Sequence, residues 1–441
     1  MPLHPLAEAA NAALNRDCPV VASMLSALGK RFYFPSKGIL AQSGEAKAKG
    51  TRYNASIGIA TENGGPMHLA CVARHYQGLK PSEIYEYAPS QGRLDLRRAW
   101  LDKLRRDTPS LGNHPVSMPL VTNALTHGLA IAGDLFLDKG DRVLTADLYW
   151  ENYDLAWGVR LGAKLLYFPL FDKGLTGFNL EGFTKSLAKA AANPKGKLMV
   201  VLNFPNNPSG YTPTKAEADG IVAALTAQAA AGTKIVAVCD DAYYSMFFDS
   251  ACQTESLFGR LAKAHDNLLA VKVCGATKEA FVWGLRVGFI TYGVRNGTQA
   301  AYDALEQKTA GLIRSTVSNC SHPGQSITLK ALQDPSFVSE QKAKIAILRE
   351  RAEAVRKVVY DPKYSDCWKV YPFNSGYFMC LKVKGCDADR VRLHLLDQHQ
   401  LGVIALGKDQ VRVAFSCLTV DQIPDVFDRI AASVRAVRQQ G

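Results

Sequence analysis

Seven short apolar runs, spaced by amphipathic stretches from about residue 75 onward, restrict this chain to a sheet covered by helices on both faces. They are Met118–Asn123, Arg142–Ala146, Lys164–Phe168, Lys197–Asn203, Ile235–Cys239, Leu268–Val273 and Val287–Tyr292. The last run follows Lys278 so closely that a helical crossover to a parallel partner does not fit, so it is expected antiparallel to its neighbours. The predicted fold class is α/β, built on a mixed seven-stranded sheet.

With 441 residues the chain exceeds what one hydrophobic core usually serves, and two packed units are expected. Before the sheet, a helix is predicted over Leu6–Leu28. A Gly/Lys-rich arm or loop follows over Ser36–Gly50, then a short apolar run at Tyr53–Ala60 and a turn cluster at Thr61–Pro66. After about residue 325, a long amphipathic helix near Gln341–Val359 leads to strands at Phe378–Val383 and Val411–Phe415 and a final helix. That pattern predicts a smaller α+β unit.

A net charge of +12 favours anionic ligands such as phosphates and dicarboxylates. No nucleic-acid recognition motif accompanies it. The basic cluster Arg93, Arg97, Arg98, Lys103, Arg105 and Arg106, mixed with Asp95, Asp102 and Asp107, reads as the solvated face of a helix. The ten cysteines form no CxxC pair, and Cys239, Cys274 and Cys380 lie in apolar runs as buried thiols. Without a secretory signal or an apolar run of membrane-spanning length, no membrane partner is expected, and a reducing, cytoplasmic setting is.

Chemistry concentrates at the carboxyl ends of the strands, where open α/β sheets place their ligands. In Gly275-Ala-Thr-Lys278-Glu-Ala-Phe-Val-Trp-Gly284-Leu-Arg286-Val-Gly288, Lys278 sits on a turn just past a strand. Desolvation there lowers a lysine's pKa and frees the amine that Schiff-base chemistry requires. Arg286 offers a planar fork suited to a phosphate, and Gly284 and Gly288 permit close backbone approach. Val238-Cys-Asp240-Asp241-Ala-Tyr243 ends another strand with a carboxylate. Asn203-Phe-Pro-Asn-Asn207-Pro208-Ser-Gly210 is a proline-fixed turn, and Thr122-Asn-Ala124-Leu125-Thr126-His-Gly128 begins a helix whose N–H groups suit a phosphate. Asp147-Leu-Tyr149-Trp150-Glu-Asn-Tyr153 supplies three candidate aromatic platforms. On the strand Val411–Phe415, Arg412 points away from Val411, Val413 and Phe415. Taken singly, each has a plain structural reading: a surface lysine, a helix cap, a proline-rich loop, a core aromatic, a strand arginine facing solvent.

Taken in order, these motifs resemble the class I aminotransferases, fold type I enzymes that use pyridoxal 5'-phosphate. The resemblance implies that Lys278 bonds the cofactor, Arg286 clamps its phosphate with Thr126 and the Ala124 and Leu125 backbone, and Asp240 pairs with the pyridine nitrogen. Tyr243 and Asn207 would touch the ring hydroxyl, and Trp150 would stack on the ring. Tyr85-Glu-Tyr87-Ala-Pro-Ser-Gln-Gly92 resembles the segment whose tyrosine, here Tyr87, reaches the phosphate of the neighbouring subunit, which implies a homodimer with shared active sites. Arg412 would pair with the substrate α-carboxylate, near backbone at Gly58 in Ile57-Gly58-Ile59. In Arg314-Ser-Thr-Val-Ser318-Asn319, Arg314 matches the arginine that binds a distal substrate carboxylate across the dimer, against the alternative of a helix-surface arginine.

The resemblance further implies residues 1–74 as an N-terminal arm joining the small domain, 75–325 as the cofactor-binding domain, and 326–441 as the rest of a discontinuous small domain. It departs from the family where Gly275 replaces a serine, where Ala124-Leu125 replaces Ser-Gly or Gly-Ala, and where Leu406-Gly-Lys-Asp409 replaces a Pro-Gly segment. The expected activity is transfer of an amino group from an amino acid, aspartate or glutamate, to a 2-oxo acid. The alternatives are an aromatic or broad-specificity aminotransferase, a lyase or decarboxylase on the same cofactor, and a non-catalytic ligand sensor.

Overall fold

A computed structural model describes residues 3–35, 38–193 and 195–440. Three short strands, β1 (Tyr53–Asn54), β2 (Thr61–Glu62) and β3 (Gly65–Pro66), precede the main sheet. That sheet comprises β4 (Leu120–Asn123), β5 (Arg142–Ala146), β6 (Lys164–Phe168), β7 (Lys197–Asn203), β8 (Lys234–Asp240), β9 (Leu268–Gly275) and β10 (Val287–Gly293). Its order is β4-β10-β9-β8-β7-β5-β6. Strand β10 runs antiparallel to both β9 and β4, and the β9-β8-β7-β5-β6 pairings are parallel, as the chain spacing requires. The central strands are buried along nearly their whole length, which is why their sequences read as continuous apolar runs rather than alternating ones.

The N-terminal segment departs from expectation in two places. The single helix over Leu6–Leu28 is two helices, Pro5–Asp17 and Pro19–Met24, because Pro19 has no N–H to continue the ladder and Cys18 turns to φ −153°. The segment expected as an arm or loop over Ser36–Gly50 carries a helix at Ile39–Lys49 instead (Ser36 and Lys37 lie outside the described residues). Ala46 and Gln42 form its inner face.

The chain ends in a second, four-stranded sheet, ordered β11 (Trp368–Val370), β12 (Phe378–Val383), β15 (Gln410–Ala414), β14 (Ile404–Leu406). The short β13 (Leu401–Gly402) pairs in parallel with β1, so the segment around residue 54 is stitched to the last quarter of the chain. Gln42 does the same through its side-chain amide, which exchanges two hydrogen bonds with the Ala405 backbone at 2.8 and 3.0 Å. The apolar run Tyr53–Ala60 is a strand only at its first two residues.

A further correction concerns the basic helix, Leu94–Asp107. Its cations do not all face solvent: Arg97 and Lys103 are buried. Arg97 pairs with Glu306 at 2.6 Å, and Lys103 pairs with Asp107 and Glu279 at 2.6 Å each.

The two sheets meet at Gly210, in the turn after β7. The backbone N–H groups of Asn374 and Ser375 both donate to the Gly210 carbonyl at 2.9 Å. Gly210 has φ +72°, and a Cβ there would lie 1.9 Å from the Phe378 carbonyl oxygen. Gly210→Ala should therefore cost about 1–3 kcal/mol from backbone strain, plus whatever separation of β12 relieves the clash. A urea melt checks this, with no drop in midpoint counting against Gly210 as the hinge point of contact.

Candidate active site

The carboxyl ends of β4, β7, β8 and β9 converge on one cavity of about 500 Å³. Strand β9 ends at Gly275, and a single helical turn, Ala276–Glu279, turns Lys278 back into this space. Strand β8 ends at Asp240, whose carboxylate is 2% exposed. The two groups have opposite shifts with one common cause. Burial lowers the Lys278 amine to about 8, against a raising effect of Asp240. Burial pushes the Asp240 carboxyl up to about 6, against hydrogen bonding from Tyr153 and the charge of Lys278. Asp240 Oδ2 accepts from the Tyr153 hydroxyl at 2.5 Å, whereas the buried Oδ1 has no hydrogen-bond partner among the described residues.

Around this pair the other side chains are fixed by loops at the strand ends. Asn203, last in β7, donates through Nδ2 to the Asp240 carbonyl at 2.9 Å and accepts from the Asn207 N–H at 2.8 Å. Asn207 Oδ1 accepts from Arg412 Nη1 at 3.2 Å, and Arg412 Nη2 donates to the Ser56 carbonyl at 2.9 Å. Arg412 is 2% exposed, its guanidinium lies 4.2 Å from the Phe378 ring centroid, and its Nε is unpartnered. A cation held this way, on strand β15 with part of its fork unused, suits a carboxylate. Tyr243 stands between, its ring centroid 5.2 Å from Lys278 Nζ.

The opposite wall is the start of the helix Ala124–Phe136. Ala124 takes a left-handed φ of +60°, and its N–H donates to the carbonyl of Arg286, itself at φ +55°, at 2.9 Å. This brings Arg286 beside Ala124, Leu125 and Thr126 along the cavity. The first-turn N–H groups there have no intrahelical acceptor and suit an anion. The same crowding accounts for Gly275, the residue standing where the family carries serine. A Cβ at Gly275 would lie 2.7 Å from the Val287 carbonyl oxygen and 2.8 Å from Gly288 Cα, so no side chain fits.

Of the residues expected at the site, Lys278, Asp240, Tyr243, Asn207, Arg286, Thr126, Ala124, Leu125, Trp150, Arg412 and Gly58 all line this one cavity. Tyr87 and Arg314 do not line it. Tyr87 is 90% exposed, and Arg314 lies at the exposed end of the helix Gln299–Thr316, donating to Ser318 Oγ at 2.5 Å. Two contributions went unread in the sequence. The helix Ile39–Lys49 roofs the cavity with Ile39, Leu40 and Ser43. Tyr153, weighed only as a stacking platform, instead packs 4.8 Å from Trp157 and bonds Asp240 from below.

The model of the family described as aminotransferase class I and II matches residues 59–430. The chain belongs to this family. Among curated relatives, the mitochondrial aspartate aminotransferase of Schizosaccharomyces pombe is 22% identical over 279 residues, 61% of each chain. The probable N-acetyl-LL-diaminopimelate aminotransferase of Bacillus subtilis is 22% identical over 364 residues, 81% of this chain and 83% of that one. A solved aminotransferase from Anaerococcus prevotii superposes with a TM-score of 0.83 at 22% identity, covering 93% of this chain and 99% of that one. The chain spans about three fifths of the length of the first aspartate aminotransferases it matches. Aminotransferases of this family use pyridoxal phosphate.

A hydrogen bond donated to a carboxylate favours its charged form. Tyr153→Phe should therefore raise the Asp240 midpoint above about 6, by about 1–2 pH units for a charge-assisted bond. Infrared titration of the carboxyl band in cofactor-free protein, with Asp240→Asn as the reference, reads this directly. Asp240's folded pKa lies above its unfolded value, so its contribution to stability is present below about pH 4 and lost as pH rises through about 6.

Proposed function

We propose that the chain is a pyridoxal phosphate-dependent aminotransferase that works on an amino acid and a 2-oxo acid. The observation that carries this reading is the buried, unpartnered Asp240 Oδ1 facing the same cavity as a desolvated Lys278. A buried carboxylate oxygen with no donor suits a protonated ring nitrogen. The first-turn amides of the helix at Leu125 and Thr126, with Arg286 beside them, suit a phosphate at the other end. These features fit pyridoxal phosphate: Lys278 would bond it, Asn207 and Tyr243 would meet its ring hydroxyl, and Trp150 would stack on its ring, all four lining the one cavity. When bound, the cofactor supplies the electron sink that makes a Cα proton of the amino acid labile.

The chain's own residues do the rest. Arg412 and Asn207 hold the substrate α-carboxylate and so fix which Cα bond lies along the reacting direction. Lys278, whose midpoint burial lowers to about 8, would take the Cα proton at its Nζ. Asp240 would pair with a protonated ring nitrogen, and the Tyr153 hydroxyl favours its ionised form. Ile39 and Trp150, both half-buried, put apolar surface on the cavity.

We further propose a homodimer whose sites are shared, with Tyr87 and Arg314 acting in the neighbouring subunit. Both are exposed and neither lines its own cavity, which supports this, as does Arg314's spacing to Ser318. On this reading the donor is aspartate or glutamate, in keeping with the names of several relatives. A second reading, an aromatic or broad-specificity enzyme, is favoured by the apolar roof of Ile39, Leu40 and Ile59.

Borohydride reduction of the holoenzyme followed by peptide mapping should place the label on Lys278, and Lys278→Ala should abolish transamination. A label on another lysine would remove this site from the chemistry.

A panel of donors separates the substrate readings. Arg314→Leu should lower kcat/KM for aspartate and glutamate by about 2–5 kcal/mol of lost charge pairing while sparing alanine and phenylalanine. Arg412→Leu should damage every amino-acid donor. Unchanged dicarboxylate kinetics in Arg314→Leu would leave the apolar-roof reading standing.

A further inference from the structure

Behind the cavity wall lies a second group of charges that touches no part of the cavity. Glu279, next in the chain to Lys278, accepts from Lys103 at 2.6 Å, and Lys103 also reaches Asp107 at 2.6 Å. Asp241, next in the chain to Asp240, accepts from Lys272 and from Ser256 Oγ. Both lysines face one ring: Lys103 and Lys272 Nζ lie 5.6 and 4.8 Å from the Tyr244 centroid. The Tyr244 hydroxyl donates to the Asp107 carbonyl at 2.6 Å and ties the two pairs to the helix Leu94–Asp107. Lys103, Lys272, Asp241 and Glu279 are all buried.

Stability alone is a poor account of this arrangement. Taking charges out of water costs several kcal/mol per ion, and matched apolar side chains often do as well or better than a buried pair. A buried pair that must keep its partner does enforce one geometry. Here both carboxylates are chain neighbours of the two groups that face each other across the cavity. The turn bearing Lys278 spans only Ala276–Glu279 and has no side-chain cap. It is followed by Phe281 in a left-handed φ of +54°. Two of its side-chain ties run through Glu279, the carboxylate to Lys103 and the carbonyl to Gln341 Nε2 at 2.7 Å, and a longer one runs from Thr277 Oγ1 to the Val287 carbonyl at 3.4 Å.

We infer that Glu279, locked by Lys103, is a positioning residue for Lys278, holding the one-turn helix so that the amine stays in the cavity opposite Asp240. The pair of Asp241, just past β8, with Lys272 on β9 is its counterpart beside Asp240, and Tyr244 joins them. The inference rests on the roles proposed above for Lys278 and Asp240.

The test uses Lys103→Met,Glu279→Leu, which removes both charges together and leaves every group facing Lys278 in place: Asp240 from β8, Arg286 from ahead of β10, and the Tyr243 ring. In cofactor-free protein, the pH midpoint for acylation of Lys278 by limiting acetic anhydride, read by peptide mass, should rise from about 8 toward the ordinary lysine value as the amine gains solvent. In the holoenzyme, kcat should fall at least about tenfold, as small misplacements of a reacting group do, with KM for the donor changed by less than about twofold. Glu279→Gln keeps the shape and an acceptor but not the charge. It should give a smaller change of the same sign, and it decides the matter if the double variant does not fold. A variant with lowered melting temperature but wild-type midpoint and kcat would make the pair merely structural and overturn the inference. If instead borohydride fails to label Lys278 in the wild type, the underlying reading of the site fails, which is a separate outcome.

Discussion

Two glycines facing each other across β9 and β10 set the geometry on which the site depends. Gly275 and Gly288 are register partners, and neither has space for a side chain. A Cβ on Gly288 would lie 2.6 Å from the Ala124 carbonyl carbon. Only at that closeness can β4, β10 and β9 bring Ala124, Arg286 and Lys278 to one rim. The left-handed backbone at Ala124 and Arg286, two residues for which that conformation is uncommon, is part of the same closure.

The cavity built on that rim holds an acid and a base that each resist ionisation. A surface lysine and aspartate would both be fully charged at neutral pH. Burial brings their midpoints to about 8 and about 6, within reach of one another. The protein stays folded despite that cost because the groups around the pair are tightly held. Asn203 bonds the Asp240 carbonyl and the Asn207 N–H, Tyr153 bonds the Asp240 carboxylate and Asn207 Oδ1 bonds Arg412, leaving Asp240 Oδ1 and Arg412 Nε without partners among the described residues.

Much of this was readable in the sequence, for a physical reason. Strands buried on both faces must be apolar throughout, so the seven runs stood out, and the short spacing after Lys278 dictated the antiparallel β10. Residues at strand ends followed from the same pattern. What escaped were features settled by contacts distant in the chain. Arg97 and Lys103 look like surface charges until Glu306 and Glu279 are placed against them. The helix Ile39–Lys49 is rich in helix formers, but Gly38, Gly44 and Gly50 around and within it read as loop signals; it is held by Ala46 and Gln42 against the last quarter of the chain. Tyr153 could not be told from Tyr149 or Trp150 by spacing, since all three lie beyond the same strand. The departure from the family at Gly275 could not be explained by the sequence, and the register with Gly288 shows it as a steric requirement.

The bond between Gln42 and the Ala405 backbone has a mechanical consequence. Ala405 lies on β14, which pairs with the strand bearing Arg412, so the helix that contributes Ile39 and Leu40 to the cavity is coupled to that strand through a single intervening strand. A change that shifts β14 is therefore felt at two walls of the cavity at once.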